Sequence, residues 1–210
     1  MKNLIIVGAG GFGREVFAWA MGHLDCGRLW QIGGFLDDHL SALEGFDYPV
    51  EVIDTVEAYQ PQADDLFVCA IGAPRVRFDV CQQLIVRGAE FLTLVHPSAV
   101  IGCNVALGRG VIVCPQAVLT VDVTIGDFVI INCMSSVGHD VKIGAYTTLS
   151  GHCDVTGQAQ IGAYTLLGSG ARILPGKTVG ANALVGAGSV VLRSVADGQK
   201  VFGNPAVRFD

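Results

Sequence analysis

The chain has 210 residues, of which 51% are hydrophobic and only 15% charged, and its formal net charge is −6. That charge argues against nucleic acid or an anionic membrane surface as the main partner, and no window approaches the ~18 consecutive apolar residues of a membrane span. The seven cysteines are odd in number and lack any CxxC spacing, which points to reduced, mostly buried thiols in a cytoplasmic protein with no metal site expected; the apolar run after Met1-Lys2-Asn3 is too short for a signal peptide.

In the first third, Asn3–Val7 reads as a buried strand and Gly8-Ala9-Gly10-Gly11-Phe12-Gly13 as a turn. A helix is expected from Arg14 to about Leu24, a second strand over Ile32–Leu36 ending in Asp37-Asp38, and a third over Asp65–Ile71. Arg75–Val86 is amphipathic at helical spacing, and Phe91–Val95 reads as a last strand running into His96-Pro97. Alternating strands and helices imply a small parallel sheet, and residues 1–95 make about half of a doubly wound fold. The turn fits G-x-G-x-x-G between a strand and a helix, so its backbone N–H groups and the helix N-terminus suit a phosphate. Gly10, Gly11, Phe12 and Gly13 are therefore substrate-binding candidates, with Asp37 or Asp38 accepting from a ribose or sugar hydroxyl, or from a base. The plain structural alternative is a glycine turn that packs helix on strand. A half-fold leaves little room for a dinucleotide.

From Val95 to Val191 seventeen aliphatic residues recur at intervals of six without a miss. A period of six fits neither a 3.6-residue helix nor two-residue strand alternation; it fits a β-solenoid in which each short strand has one inward anchor and then a corner. Gly directly follows many anchors, as at Gly102, Gly126, Gly138, Gly144 and Gly162, and is expected to supply φ > 0 at the corner. Two residues before the anchor the side chain is small or β-branched (Val123, Val141, Thr147, Cys153, Ala159), so this position also points inward. Three hexads make a coil of eighteen residues, giving roughly five coils. The second domain is expected over residues 96–210.

His139 sits two residues after its anchor Val137, on the outer part of a coil. A neutral imidazole there has the right basicity to take a proton near neutral pH, and the neighbouring Asp140 could orient the ring and stabilise the imidazolium. Adjacent strand residues point to opposite faces, although corners relax that rule. Gly157, eighteen residues on, lies one coil above His139, about 4.8 Å along the stack.

The whole chain resembles the hexapeptide acyltransferases of bacterial sugars, both the sialic acid O-acetyltransferases and the N-acetyltransferases of nucleotide-linked amino sugars. The resemblance rests on Gly8–Arg14, Phe35-Leu36-Asp37-Asp38, His96-Pro97-Ser98-Ala99, Asn132, Val137-Gly138-His139-Asp140 and Gly203-Asn204-Pro205-Ala206. It implies an α/β half-Rossmann-like domain followed by a left-handed parallel β-helix, a homotrimer with active sites between neighbouring solenoids, and acetyl-CoA as donor. It implies His139 as general base with Asp140 beside it, and Gly157 as the residue whose N–H meets the thioester carbonyl. Thr148, Ser169, Lys200 and Arg208 are further candidates for holding CoA, the last two as cations near its phosphates, with Arg193 close by. The N-terminal domain would hold the acceptor. One departure is Phe12, where the amino-sugar enzymes often carry His: Phe neither donates a hydrogen bond nor takes a proton, which leaves the acceptor open.

N-acetylation of a nucleotide-linked amino sugar in bacterial surface-glycan biosynthesis makes the fullest use of a nucleotide-type domain. Sugar O-acetylation of the sialic acid type is the alternative within the family. A non-catalytic solenoid scaffold is the alternative of another class, although a scaffold needs no imidazole in a groove. Zinc ligation by His96, His139 and His152 lacks the paired spacing that a zinc hydratase uses.

Overall fold

The computed structural model describes residues 1–209, and the chain divides into two units, Met1–Leu92 and a second beginning at Thr93. The first unit contains strand β1 (Lys2–Val7), helix α1 (Gly11–Met21), strands β2 (Trp30–Leu36), β3 (Val52–Asp54) and β4 (Asp65–Cys69), and helix α2 (Pro74–Val86). Its four strands are parallel in the order β3-β2-β1-β4. Leu4, Ile5, Ile6 and Val7 of β1 are at most 1% exposed, as a strand covered on both faces requires. Helix α1 begins at Gly11, earlier than the expected Arg14, because Gly10 is its N-cap and the turn runs straight into the helix. It ends at Met21, short of Leu24, where Gly22 caps it.

The expected strand Phe91–Val95 is two pieces. Phe91 bridges to Phe67 in the first unit, whereas Leu94–Val95 pairs with Ile112–Val113 as the first rung of the solenoid. A five-residue run broken only by Thr93 carries no periodic mark of where one partner ends and the next begins.

In the second unit each hexad forms a two-residue rung and a corner. Rungs eighteen residues apart pair in parallel register, as Ile131 does with Leu149 and Ser136 with Asp154. Three sheet faces result. Face one runs from Leu94–Val95 to Lys200–Phe202, face two from Val100–Ile101 to Val190–Val191, and face three from Ala106–Leu107 to Thr178–Val179. The anchors from Leu119 to Val191 are at most 3% exposed and form one continuous core, each contributing roughly 1.5–3 kcal/mol by burial. The inward polar residues satisfy themselves against backbone: the Ser135, Thr147 and Thr165 hydroxyls donate to the carbonyls of Ser150, Gly162 and Gly180.

The corners correct one expectation. The glycines that follow the anchors are not the residues with positive φ. That conformation falls two positions later, at Asn104, Gln116, Asp122, Phe128, Met134, Asp140, Tyr146, His152, Gln158, Tyr164 and Asn182, with φ of 56–62°. The glycines after the anchors are needed for space: a Cβ on Gly126, Gly144 or Gly162 would lie 2.7, 2.4 or 2.3 Å from a backbone nitrogen of the next coil. Asn and Asp tolerate the left-handed region, while bulky residues incur about 1–2 kcal/mol there. At one corner that cost is offset by a ladder of rings: Phe128 stacks on Tyr146 at 4.9 Å and Tyr146 on Tyr164 at 5.5 Å. The ladder repeats at eighteen residues, once per coil.

Candidate active site

The candidate residues of the solenoid sort by corner. The corner after face two carries, two residues beyond successive anchors, Cys103, Val121, His139, Gly157, Pro175 and Arg193, one per coil. His139 Nδ1 lies 2.8 Å from Asp140 Oδ2, with the two side chains 57% and 54% exposed. The left-handed φ of 60° at Asp140 makes this possible, because it turns the chain so that two neighbours in sequence meet. Backbone bonds fix the corner from both sides: the Asp140 N–H donates to Val121 O at 3.2 Å, and the Gln158 N–H donates to His139 O at 2.8 Å. A carboxylate only accepts, so Nδ1 carries the proton and Nε2 is left as the basic nitrogen.

The His139 ring rises toward the coil above. An ideal Cβ on Gly157 would lie 2.4 Å from Nε2 and 2.6 Å from Cε1 of His139. Among the described residues no backbone acceptor takes the Gly157 N–H, although its carbonyl accepts from Gly176 at 3.0 Å. A basic nitrogen and an open N–H donor therefore sit side by side. Arg193 follows three coils further along the same column, about 14 Å along the stack.

Thr148 and Ser169 lie elsewhere. Thr148 is on face one and only 5% exposed. Ser169 is exposed at the corner after face one, and so is His152, which therefore does not share the column of His139. Lys200 and Arg208 come together in an antiparallel pair of strands, Lys200–Phe202 with Val207–Arg208. They line a cavity of about 470 Å³ with Gln199 and Phe209; Arg193 is not among its lining residues. Cys153 is 1% exposed in the inward slot and its thiol faces the carbonyl of Gly168 at 3.3 Å. Burial pushes that thiol up to about 11, which removes it as a nucleophile at neutral pH.

In the first unit, the glycine turn divides its work. Gly8 has φ 96°, and a Cβ on Gly13 would lie 1.9 Å from Gly8 O, so these two serve turn geometry and helix packing. Around Gly10 nothing stands within 4 Å of where a Cβ would be, and Gly11 meets only the tip of Arg14 at 4.0 Å. The N-terminus of α1 has no side-chain cap and no acid in its first turn, leaving its N–H groups for an anion. Phe12 is half-buried, edge-on to Trp19 at 6.0 Å. Asp37 is engaged by the turn itself: Oδ2 accepts the Ala9 N–H at 2.8 Å and Oδ1 the His39 N–H at 2.9 Å. Asp38 Oδ1 accepts the Val56 N–H at 3.3 Å.

A cleft of about 440 Å³ in this unit, lined among others by Leu40, Phe46, Tyr48 and Glu51, escaped the sequence reading. The Arg14 guanidinium lies 3.6 Å over the Phe46 ring at its edge. The stretch has no periodicity to betray it; two aromatics in a loop were the only signal. Among the described residues no helix is long and apolar enough to cross a membrane.

The model of the PglD N-terminal domain matches residues 3–84. UDP-N-acetylbacillosamine N-acetyltransferase of Bacillus subtilis (strain 168) is 31% identical over 117 residues, covering 54% of this chain and 51% of that protein. The chain thus spans about half the length of this curated relative. Among solved structures, PerB from Caulobacter crescentus in complex with CoA and GDP-perosamine is 30% identical with a TM-score of 0.88, over 100% of this chain and 98% of that one. The acetyltransferase domain of PglB from Neisseria gonorrhoeae FA1090 is 29% identical with a TM-score of 0.87, over 100% of both chains.

Proposed function

This chain belongs to the hexapeptide-repeat sugar acyltransferases, in the group of nucleotide-linked amino-sugar N-acetyltransferases built on a left-handed β-helix, and on that premise we propose that it moves the acetyl group of acetyl-CoA to the amine of a nucleotide-linked amino sugar. The observation that carries the proposal is the corner where His139, Asp140 and Gly157 meet. The neutral amine attacks the thioester carbonyl carbon. Nε2 of His139 takes the proton that the amine loses as the C–N bond forms, and Asp140, bonded to Nδ1, stabilises the imidazolium. The Gly157 N–H faces the developing oxyanion, a single donor of the kind that a water-poor cleft makes effective. As the tetrahedral intermediate collapses the C–S bond breaks, and the imidazolium returns its proton to the CoA sulfur.

CoA lies with its thioester at this corner and its phosphates toward cations of the C-terminal coils, for which Lys200, Arg208 and Arg193 are the candidates. Thr148 and Ser169, on another face, meet CoA only if a neighbouring subunit presents them, which fits a homotrimer with clefts between solenoids. In the first unit the open turn at Gly10 and Gly11 takes a phosphate of the acceptor, while Phe12 and Asp38 border it and Asp37 holds the turn in shape. The setting is surface-glycan assembly in the bacterial cytoplasm. Support for the substrate class comes from PerB, whose structure holds CoA and GDP-perosamine, and from the curated relative that acts on a UDP-linked amino sugar. The test is release of CoA thiol from acetyl-CoA in the presence of UDP-, GDP- and dTDP-linked 4-amino sugars, with product masses determined. One nucleotide class supports turnover if the proposal is right; CoA release with none of them defeats it.

A further inference from the structure

Every residue in the column of His139 has a side chain except one. Cys103, Val121, Pro175 and Arg193 fill their places, and the gap at Gly157 falls directly above the imidazole. The backbone does not require glycine at 157, because its φ lies outside the left-handed region. Nor does the packing of the coils require it. A Cβ on Gly138, in the coil below, would lie 2.7 Å from a backbone nitrogen, whereas the three nearest atoms to a Cβ on Gly157 all belong to the His139 ring, at 2.4, 2.6 and 2.9 Å. At Gly176, in the coil above, there is open space.

We propose that Gly157 is a positioning residue for His139: its missing side chain is the seat in which the imidazole is held, with Asp140 fixing Nδ1 on one side and the backbone of the next coil bounding Nε2 on the other. The glycine's N–H and its lack of a Cβ are then separate contributions, one to the oxyanion and one to the base. Alanine at 157 keeps the N–H and loses the seat. The ring, more than half exposed, must swing away from the coil above and give up its bond to Asp140.

The kinetic part rests on the acetyltransferase reading; the spectroscopic part does not. Two measurements on the full chain separate them. In the first, ring ¹⁵N spectra assign the tautomer of His139 in wild type, in Gly157→Ala and in Asp140→Ala, without substrate. Wild type shows the Nδ1–H form, and Gly157→Ala shifts toward the mixture seen in Asp140→Ala. An unchanged Nδ1–H signature in Gly157→Ala overturns the proposal. In the second, kcat falls about 100-fold in Gly157→Ala, with the dissociation constant of CoA changed by less than about twofold. Gly157→Ala adds no further loss in a His139→Ala background, since it acts through a ring no longer there. Equal losses in both backgrounds contradict the proposal. A wild type inactive on every acceptor defeats the function while the tautomer measurement still decides the seat.

Discussion

His139 Nδ1 and Asp140 Oδ2 are 2.8 Å apart although the residues are consecutive. On a strand they would point to opposite faces; the left-handed backbone of Asp140 brings them together. In the proposed mechanism the pair acts as an oriented base. His139→Ala is expected to lower kcat with an amino-sugar acceptor by about 10²–10⁴-fold while leaving CoA affinity and melting temperature near wild type, because the side chain is exposed. Asp140→Asn should cost less, since the imidazole remains and only its orienting partner is lost. Steady-state thiol release checks both.

The glycine turn should separate packing from binding. Gly13→Ala sets a Cβ 1.9 Å from the carbonyl oxygen of Gly8, so it should destabilise the first unit by about 1–3 kcal/mol or more. Gly10→Ala enters open space and, at the N-cap of α1, should lower stability far less than Gly13→Ala while weakening the nucleotide-linked acceptor several-fold. Chemical denaturation and calorimetric titration read the two effects.

The cations of the last coils should act through salt. Lys200→Ala and Arg208→Ala are each expected to weaken CoA binding roughly 3–10-fold at low ionic strength, with the difference shrinking as salt screens it. Dephospho-CoA should lose less on substitution than CoA. Equal losses for both would place these cations away from the 3′-phosphate.

Cys153 supplies a pH prediction. An unfolded thiol titrates near 8.5, and burial pushes the folded one up to about 11. The folded state therefore holds its proton longer, so this stability is fully present below about pH 8.5 and is lost as pH rises through 11. Cys153→Ala should flatten the decline between about pH 8.5 and 10, below the range where Tyr59, raised by its own burial and by Asp65, begins to contribute. In the native protein the exposed Cys103 should react with iodoacetamide and Cys153 should not.

The solenoid was legible because one physical requirement repeats: each rung must bury an aliphatic residue, so Leu119 through Val191 mark the core in the sequence itself. The corners were not, because two kinds of demand fall two residues apart. Gly126 answers to the next coil's backbone and Phe128 carries the left-handed turn, and composition alone suggests the glycine for both. The adjacency of His139 and Asp140 was legible, but the place of the imidazole beneath Gly157 was not, since it is a side-chain contact across eighteen residues. The two bonds that Asp37 makes with Ala9 and His39 were not legible, because they depend on loop geometry with no sequence period. The hand of the coil came only from resemblance.

The most direct test of the account is a single-turnover assay with wild type and His139→Ala, mixing enzyme, acetyl-CoA and the nucleotide-linked amino sugar that supports turnover, and following N-acetylated product by mass. Wild type should form product stoichiometric with released CoA, and His139→Ala should form it at least about 100-fold more slowly at unchanged CoA occupancy. Equal rates in the two proteins would contradict the assignment of His139 as the base and, with it, the mechanism built on this corner.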